Sequence, residues 1–399
     1  MGFADEFVDG AKGAALPAIQ HSLALGYGQI GLLASVPLLV GGLLELPVGL
    51  LHRRRLVTLA GGVVFVLAVA GVAFAQNFAE LLVAFTLFFP ASGAFVSLTQ
   101  ASLMDAFPDQ RARMMARWDQ AGWAGAVCGP LLLAAVIAAG GGWRDAYLAI
   151  AGLCALVWLG VLRTSPGEAG QDDAGPPDAD QADTDQADPD PADADQADPD
   201  PAGTDAAGAD PDSTDLGSSG RHPSWAAVAA KAARWLILLQ VADLLVDVLT
   251  GFAAVYLVSV AHATLAVAAL AITLRLGAGL AGDALLVAAL NKATDRTILR
   301  MTAIGAALLY PAFLLVPGLA AKLTVLALLS AVTAVWYPLL QARLYDTVPS
   351  SAAVTLSTAA SMAGAAGPLA VGVIAEACGL TWALAGLAVV PFVIFAGTR

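Results

Sequence analysis

Charge is the first thing this sequence has little of. Of its 399 residues 13% are Asp, Glu, Lys or Arg, whereas soluble globular proteins carry about 25%. With 58% hydrophobic residues and a mean hydropathy of +0.75, that scarcity excludes a chain wetted over most of its surface. It predicts a chain that lives in a bilayer. Cysteine is nearly absent too. Cys128, Cys154 and Cys378 fall far apart inside apolar runs, which excludes a disulfide framework and leaves them as packing residues. The four histidines and three cysteines form no metal-ligand spacing, so no metal or other cofactor is expected. No Gly-x4-Gly-Lys-Ser/Thr loop occurs, which excludes ATP hydrolysis by this chain, and no nucleophile elbow supports an enzyme reading. A basic n-region is missing where Asp5, Glu6 and Asp9 stand, so no cleavable leader is expected.

Long apolar runs are what the sequence has instead. A helix crosses a hydrocarbon core of roughly 30 Å with about 20 residues. Twelve runs of roughly that length occur, at about 4–25, 28–51, 56–75, 79–104, 116–139, 143–162, 235–259, 263–290, 298–316, 321–345, 352–376 and 379–397. They do not alternate with period two and exceed the ten or so residues of a barrel strand, so an all-α polytopic membrane protein is predicted.

Residues 164–224, with the run "DQADTDQADPDPADADQADPDPAGTDAAG", separate the sixth and seventh spans. Sixteen Asp lie between Asp172 and Asp215, with no Lys or Arg among them. Outside that stretch sixteen acids face nineteen bases, so the net charge of −13 belongs to the linker and the remainder carries +3. Such a segment cannot bury a core and repels itself, which predicts a disordered tether. An acidic interaction tail is the alternative. The expected organisation is 1–163 as one six-helix bundle, 164–224 as linker and 225–399 as a second bundle.

Basic residues orient the spans. Arg53–Arg55, Arg111, Arg113, Arg117, Arg163, Arg221, Lys231, Arg234, Lys292, Arg296, Arg300, Arg343 and Arg399 fall on one side, and only Arg144 and Lys322 on the other. That bias places both termini and the linker in the cytoplasm and the chain in the cytoplasmic membrane.

The two halves repeat. At an offset of 238, Asp5, Asp9 and Gly13 match Asp243, Asp247 and Gly251; Glu45 matches Asp283; Gly129-Pro130 matches Gly367-Pro368. "QASLMDAFP" (100–108) matches "QARLYDTVP" (341–349) at an offset of 241. Six spans duplicated in one orientation imply a pseudo-two-fold axis along the membrane normal.

With these features the chain resembles the major facilitator superfamily, and within it exporter branches distantly similar to fosmidomycin-resistance-type efflux proteins. "LPAIQHSLALGYGQIGLLASVPLLV" (16–40) looks like the first two spans of those branches, and "GAVCGP" (125–130) is similar to the antiporter motif of the fifth helix. "GLLHRRRL" (49–56) keeps the glycine and arginines of the family's loop motif, with no Asp between them. The resemblance implies twelve helices in two bundles, and the fifth-span motif implies export.

Charge inside the apolar runs is the functional signal. Residues four apart share a helical face, so Asp5 stacks with Asp9 and Asp243 with Asp247. An ionised group at mid-bilayer costs at least about 2.5–3.5 kcal/mol, so such groups face a partner or water. At 1.5 Å per residue Asp247 and Arg275 both lie about 18 Å deep from their own sides, which predicts a mid-depth ion pair. Asp243 and Asp283 are predicted to form an acid pair below it, and Asp9 with Lys12 and Glu45 with Asp5 or Glu6 the corresponding layers of the first half. Two neighbouring carboxylates short of water disfavour joint ionisation, so one of them can carry a proton. Fixed interhelical locks are the structural alternative. Asp5 and Glu6 are expected to be merely solvated at the interface. Gln100, Trp336, Tyr337, Gln341 and Arg343 are weaker candidates for a substrate cavity. Gly125, Gly129 and Gly364, Gly367 are expected to permit close helix packing, and Pro130 and Pro368 to bend helices that rock. The predicted function is alternating-access transport of a small organic molecule, by proton-coupled export. An uncoupled facilitator, or a non-transporting receptor or scaffold signalling through the linker, are the alternatives. Partners are substrate, protons and lipid, with no nucleic acid, in a monomeric protein.

Overall fold

In a bilayer only helices and closed barrels satisfy every backbone group, and helices are what these apolar runs form. The computed structural model describes residues 2–48, 54–97, 99, 103, 111–164, 225–348 and 350–398, with no strand among them. In chain order these are α1 (Gly2–Leu23), α2 (Tyr27–Val48), α3 (Arg54–Phe74) and α4 (Phe78–Ser92), which a π-helical turn (Gly93–Ser97) extends. α5 (Arg111–Ala138), α6 (Trp143–Thr164), α7 (Trp225–Ser259), α8 (Leu265–Leu290) and α9 (Asp295–Leu315) follow. The tenth run is α10 (Leu319–Ala334) plus α11 (Trp336–Thr347), and the eleventh is α12 (Ser350–Gly364) plus α13 (Ala366–Cys378). The twelfth is α14 (Leu380–Ala385), a 3-10 turn and α15 (Val390–Gly397). The acidic linker lies outside the described residues.

The described residues of all twelve runs are thus helical, and ten of the described stretches are long and apolar enough to cross a membrane. The breaks at Val335 and Ala365 each stand three residues before a proline, Pro338 or Pro368. Proline lacks an N–H and crowds the carbonyl four residues back, so the ladder fails there. Large apolar side chains such as Leu67, Leu156, Leu308, Leu315 and Trp382 stand exposed, as lipid-facing residues do.

Helix ends repeat between the halves as well. Ala24 after α1 and His262 after α7 both take positive φ (50° and 55°), and they are 238 residues apart. Each closes its helix in the left-handed conformation that glycine adopts more cheaply. The two bases assigned to the sparsely charged side are also explained by helix ends. Arg144 Nη2 donates to the Ala75 carbonyl, just past α3, at 2.7 Å. Lys322 Nζ donates to the Phe313 and Leu314 carbonyls of α9 at 2.8 and 2.9 Å. Both cations cap carbonyls that no following turn can reach.

Neighbours follow the duplication. In the first half α1 packs on α5, α2 and α3 on α4, and α3 on α6; in the second α8 and α9 pack on α10, and α9 on α15. Across the halves α2 meets α13 and α5 meets α8. The offset of 238 turns α2 into α8 and α5 into the α12–α13 run, so it exchanges these two cross-contacts.

Candidate functional site

Small residues set how closely the helices approach. A Cβ at Gly10 would overlap the Ala126 carbonyl, and one at Gly125 or Gly129 the carbonyl of Phe3 or Phe7. The backbones of α1 and α5 therefore touch, and only glycine fits there. Pro130 sits inside α5 without breaking it. Between the halves, a Cβ at Gly31 would stand 2.7 Å from the Pro368 carbonyl oxygen, and one at Gly13 2.8 Å from that of Thr250. Leu369 N–H donates to Ser35 Oγ at 3.1 Å, and Gly28 N–H to Glu376 at 3.2 Å, so α2 and α13 are bound together at the Tyr27 end. Toward the other end of α2 the Met362 side chain of α12 approaches Gly42, 3.2 Å from where a Cβ would stand.

At that far end a cavity of 410 Å3 is lined by Asp5, Glu6 and Asp9 of α1, Gly41 of α2, Phe89 of α4 and Tyr337 of α11. Ser92 Oγ donates to Asp5 Oδ1 at 2.5 Å. Glu6 is exposed and Asp5 half-buried, and both face a cavity between helices. Glu45 lies in α2, but its side chain is outside the described residues, as is the whole of Gln100.

Asp9 also lines a second, deeper cavity of 240 Å3, together with Lys12, Asp247, Thr250 and Pro368. Lys12 Nζ stands 3.7 Å from Asp9 and 4.9 Å from the Phe89 ring centroid. An ion pair one turn apart and a ring face hold the ammonium in place. Arg275 differs from expectation. It is 6% exposed, and its Nη2 donates to Thr250 Oγ1 at 2.9 Å and to the Val246 carbonyl at 3.2 Å. It makes no ion pair with Asp247 within 4 Å; the ion pairs found among the described residues are Lys12–Asp9 and Arg343–Asp295, the latter at 3.1 Å. Equal depth put Asp247 and Arg275 at one level without fixing the direction in which the guanidinium turns.

Asp243 and Asp283, expected as a pair, line a third cavity of 360 Å3 with Arg275, Trp336 and Tyr337. Trp336 is fully buried and its Nε1 donates to Thr302 Oγ1 at 3.0 Å. Gln341 does not line these three cavities, and Arg343 is engaged by Asp295. Gly364 and Gly367 face the side chains of Gln240 and Leu244 on α7. Residues that patterning missed include Ser35, Trp123, Ser330 and Glu376. One signal was present: position 12 plus 238 is Thr250, the hydroxyl that Arg275 holds where the first half has Lys12.

Comparison with known proteins gives the same picture. Residues 1–372 match the family model of the Major Facilitator Superfamily. A bacterial homologue of the human lysosomal transporter Spinster, in an inward-facing and occupied conformation, superposes with a TM-score of 0.73 at 13% identity, covering 100% of this chain and 94% of its own. The nucleoside transporter NupG gives 0.73 at 10% identity over 100% and 97%, and a D-xylose–proton symporter 0.66 at 14% over 97% and 94%. None of the curated proteins compared matches in sequence. The family match over residues 1–372 makes this a multi-pass membrane transporter rather than an enzyme.

Proposed function

We propose that this chain, a member of the Major Facilitator Superfamily, is a proton-coupled secondary transporter that exports a small organic molecule across the cytoplasmic membrane by alternating access. The observation that carries the reading is the convergence of Asp9, Lys12 and Asp247, from both halves, on one cavity wall at mid-depth. Charged groups from two bodies on one wall are parted or brought together whenever the bodies rock. A carboxylate whose cation is withdrawn in one state favours protonation there and release in the other. Asp247 is the group best placed to do so, since its cations Lys12 and Arg275 are near without touching it.

With the basic-residue bias setting the orientation, the 410 Å3 cavity opens toward the cytoplasm and the α2–α13 contact at Gly28–Glu376 closes the outer side. The halves 1–163 and 225–399 are the rocking bodies, and 164–224 the tether between them. The test is proton movement in proteoliposomes on addition of a panel of metabolites and drugs. Substrate-dependent proton flux lost in Asp247→Asn is the expected result. Flux of unchanged pH dependence in that variant overturns the assignment, and substrate equilibration without any proton flux makes the protein a facilitator.

A further inference from the structure

The 360 Å3 cavity shares Arg275 with the coupling wall and adds polar groups that coupling at Asp247 does not use. Its wall belongs almost entirely to the second half, with Trp123 of α5 as the contribution from the first. Three of its residues hold buried polar atoms without a hydrogen-bond partner: Nε and Nη1 of Arg275, Oδ1 of Asp283 and Oγ of Ser330. Arg275 and Ser330 are 6% and 7% exposed, so water does not reach them freely. Leaving buried donors and acceptors unmet costs about 1–3 kcal/mol each, more for charged groups. Three such residues on one wall describe a site whose partners arrive with a ligand.

The placement sets the chemistry of that ligand. Arg275, Gly279 and Asp283 follow one another every four residues along one face of α8. Arg275 and Asp283 are therefore about 12 Å apart along the axis. The guanidinium at one end presents donors suited to a carboxylate, and the acid at the other accepts from an amine. The rest of the wall is largely apolar or aromatic, with Leu249, Leu276 and Trp336, and Asp243 adds a second carboxylate. Gly279 in the middle leaves room for a flat body: a Cβ there would meet only Ala334 Cβ, at 4.0 Å.

We infer that this cavity is a binding subsite for an elongated amphoteric molecule, with a carboxylate on Arg275, an amine on Asp283 and an aromatic body between them. The inference rests on the transporter reading for its purpose, but its test is equilibrium binding and needs no transport. Purified full-length protein in lipid nanodiscs is titrated calorimetrically with 4-(2-aminoethyl)benzoate and with two single-ended probes, 4-ethylbenzoate and 2-phenylethylamine. The two-ended probe is expected to bind at least tenfold tighter than either. Arg275→Gln should erase its advantage over 2-phenylethylamine, and Asp283→Asn its advantage over 4-ethylbenzoate. Gly279→Leu, which fills the cavity, should abolish binding of all three probes at an unchanged melting temperature. Equal affinity for the three probes, no binding at all, or unchanged binding in Gly279→Leu overturns the inference; the last holds even if Arg275→Gln does not fold. Binding as expected without proton flux would leave this site standing and remove coupling, whereas coupling without two-ended binding would do the reverse.

Discussion

The two halves carry one pattern and use it differently. In the first, α1 lies on α5 with backbone against backbone at Gly10, Gly125 and Gly129. In the second, Gly364 and Gly367 face α7 through the side chains of Gln240 and Leu244. Gly13 is pressed on the Thr250 carbonyl, while nothing lies within 4 Å of a Cβ placed at its repeat, Gly251. Charge follows the same division. Asp9 has its cation one turn along the same helix, whereas Asp247 looks to a cation on α8 that bonds Thr250 instead. Close backbone contact is not lost from the second half but moved, since a Cβ at Gly282 of α8 would overlap the Ala331 carbonyl of α10. The duplicated pattern thus carries a closed ion pair in the first half and an open one in the second.

The largest expected break in this comparison is in coupling. Asp247→Asn should reduce substrate-driven proton flux at least a hundredfold, while Asp9→Asn, which frees Lys12 to face Asp247, should reduce it about tenfold; proteoliposome pH traces compare the two. Equal losses would make the halves functionally equivalent. Packing comes next. Gly129→Ala drives a methyl into the Phe7 backbone and should cost about 3 kcal/mol, whereas Gly367→Ala meets the flexible Leu244 and should cost under about 1 kcal/mol. Melting curves of the two variants rank them.

Helix ends sharpen the comparison further. Lys322, 8% exposed and bonded to Tyr256 Oη and two carbonyls, should cost about 2–3 kcal/mol as Lys322→Met. Arg144→Met removes one such bond and should cost about 1 kcal/mol. A reversed order in thermal denaturation would mean that these caps contribute little. The smallest effect is a symmetric gain. Ala24→Gly and His262→Gly relieve the same positive φ and should each raise stability by about 0.5–1 kcal/mol, read as matched rises in melting temperature.

Much of this architecture was legible before any coordinates. Apolar run length gave the helices, and the 238-residue offset gave the corresponding elements; that it also relates the positive-φ turns at Ala24 and His262 emerged only from the structure. Glycines at 125 and 129 were legible as close-packing positions because only a missing side chain lets backbones touch. Side-chain partners were not. Periodicity fixes the face a residue occupies, and a long cation reaches several acceptors from one face; hence Arg275 met Thr250 and not Asp247, and Arg343 met Asp295. The cavity that Asp5 and Glu6 line was not legible either, because it is made by helices distant in sequence. Ser330 and Trp123 gave no pattern at all, being single residues on otherwise ordinary faces.

The paired breaks at Val335 and Ala365 have a mechanical consequence. A helix resists flexing because each turn is tied to the next, and it yields first where a proline removes that tie. The tenth and eleventh spans are therefore each two stiff arms about a joint. Tyr337 and Met362 ride on the arms that line the 410 Å3 cavity, while Leu369, beyond its joint, is held by Ser35. A small swing about these two joints, and about Pro90 with the π-helical turn that follows it in α4, has leverage over the cavity. Across from them α5 runs through Pro130 unbroken and bears on α1, a fixed abutment against which those arms can move.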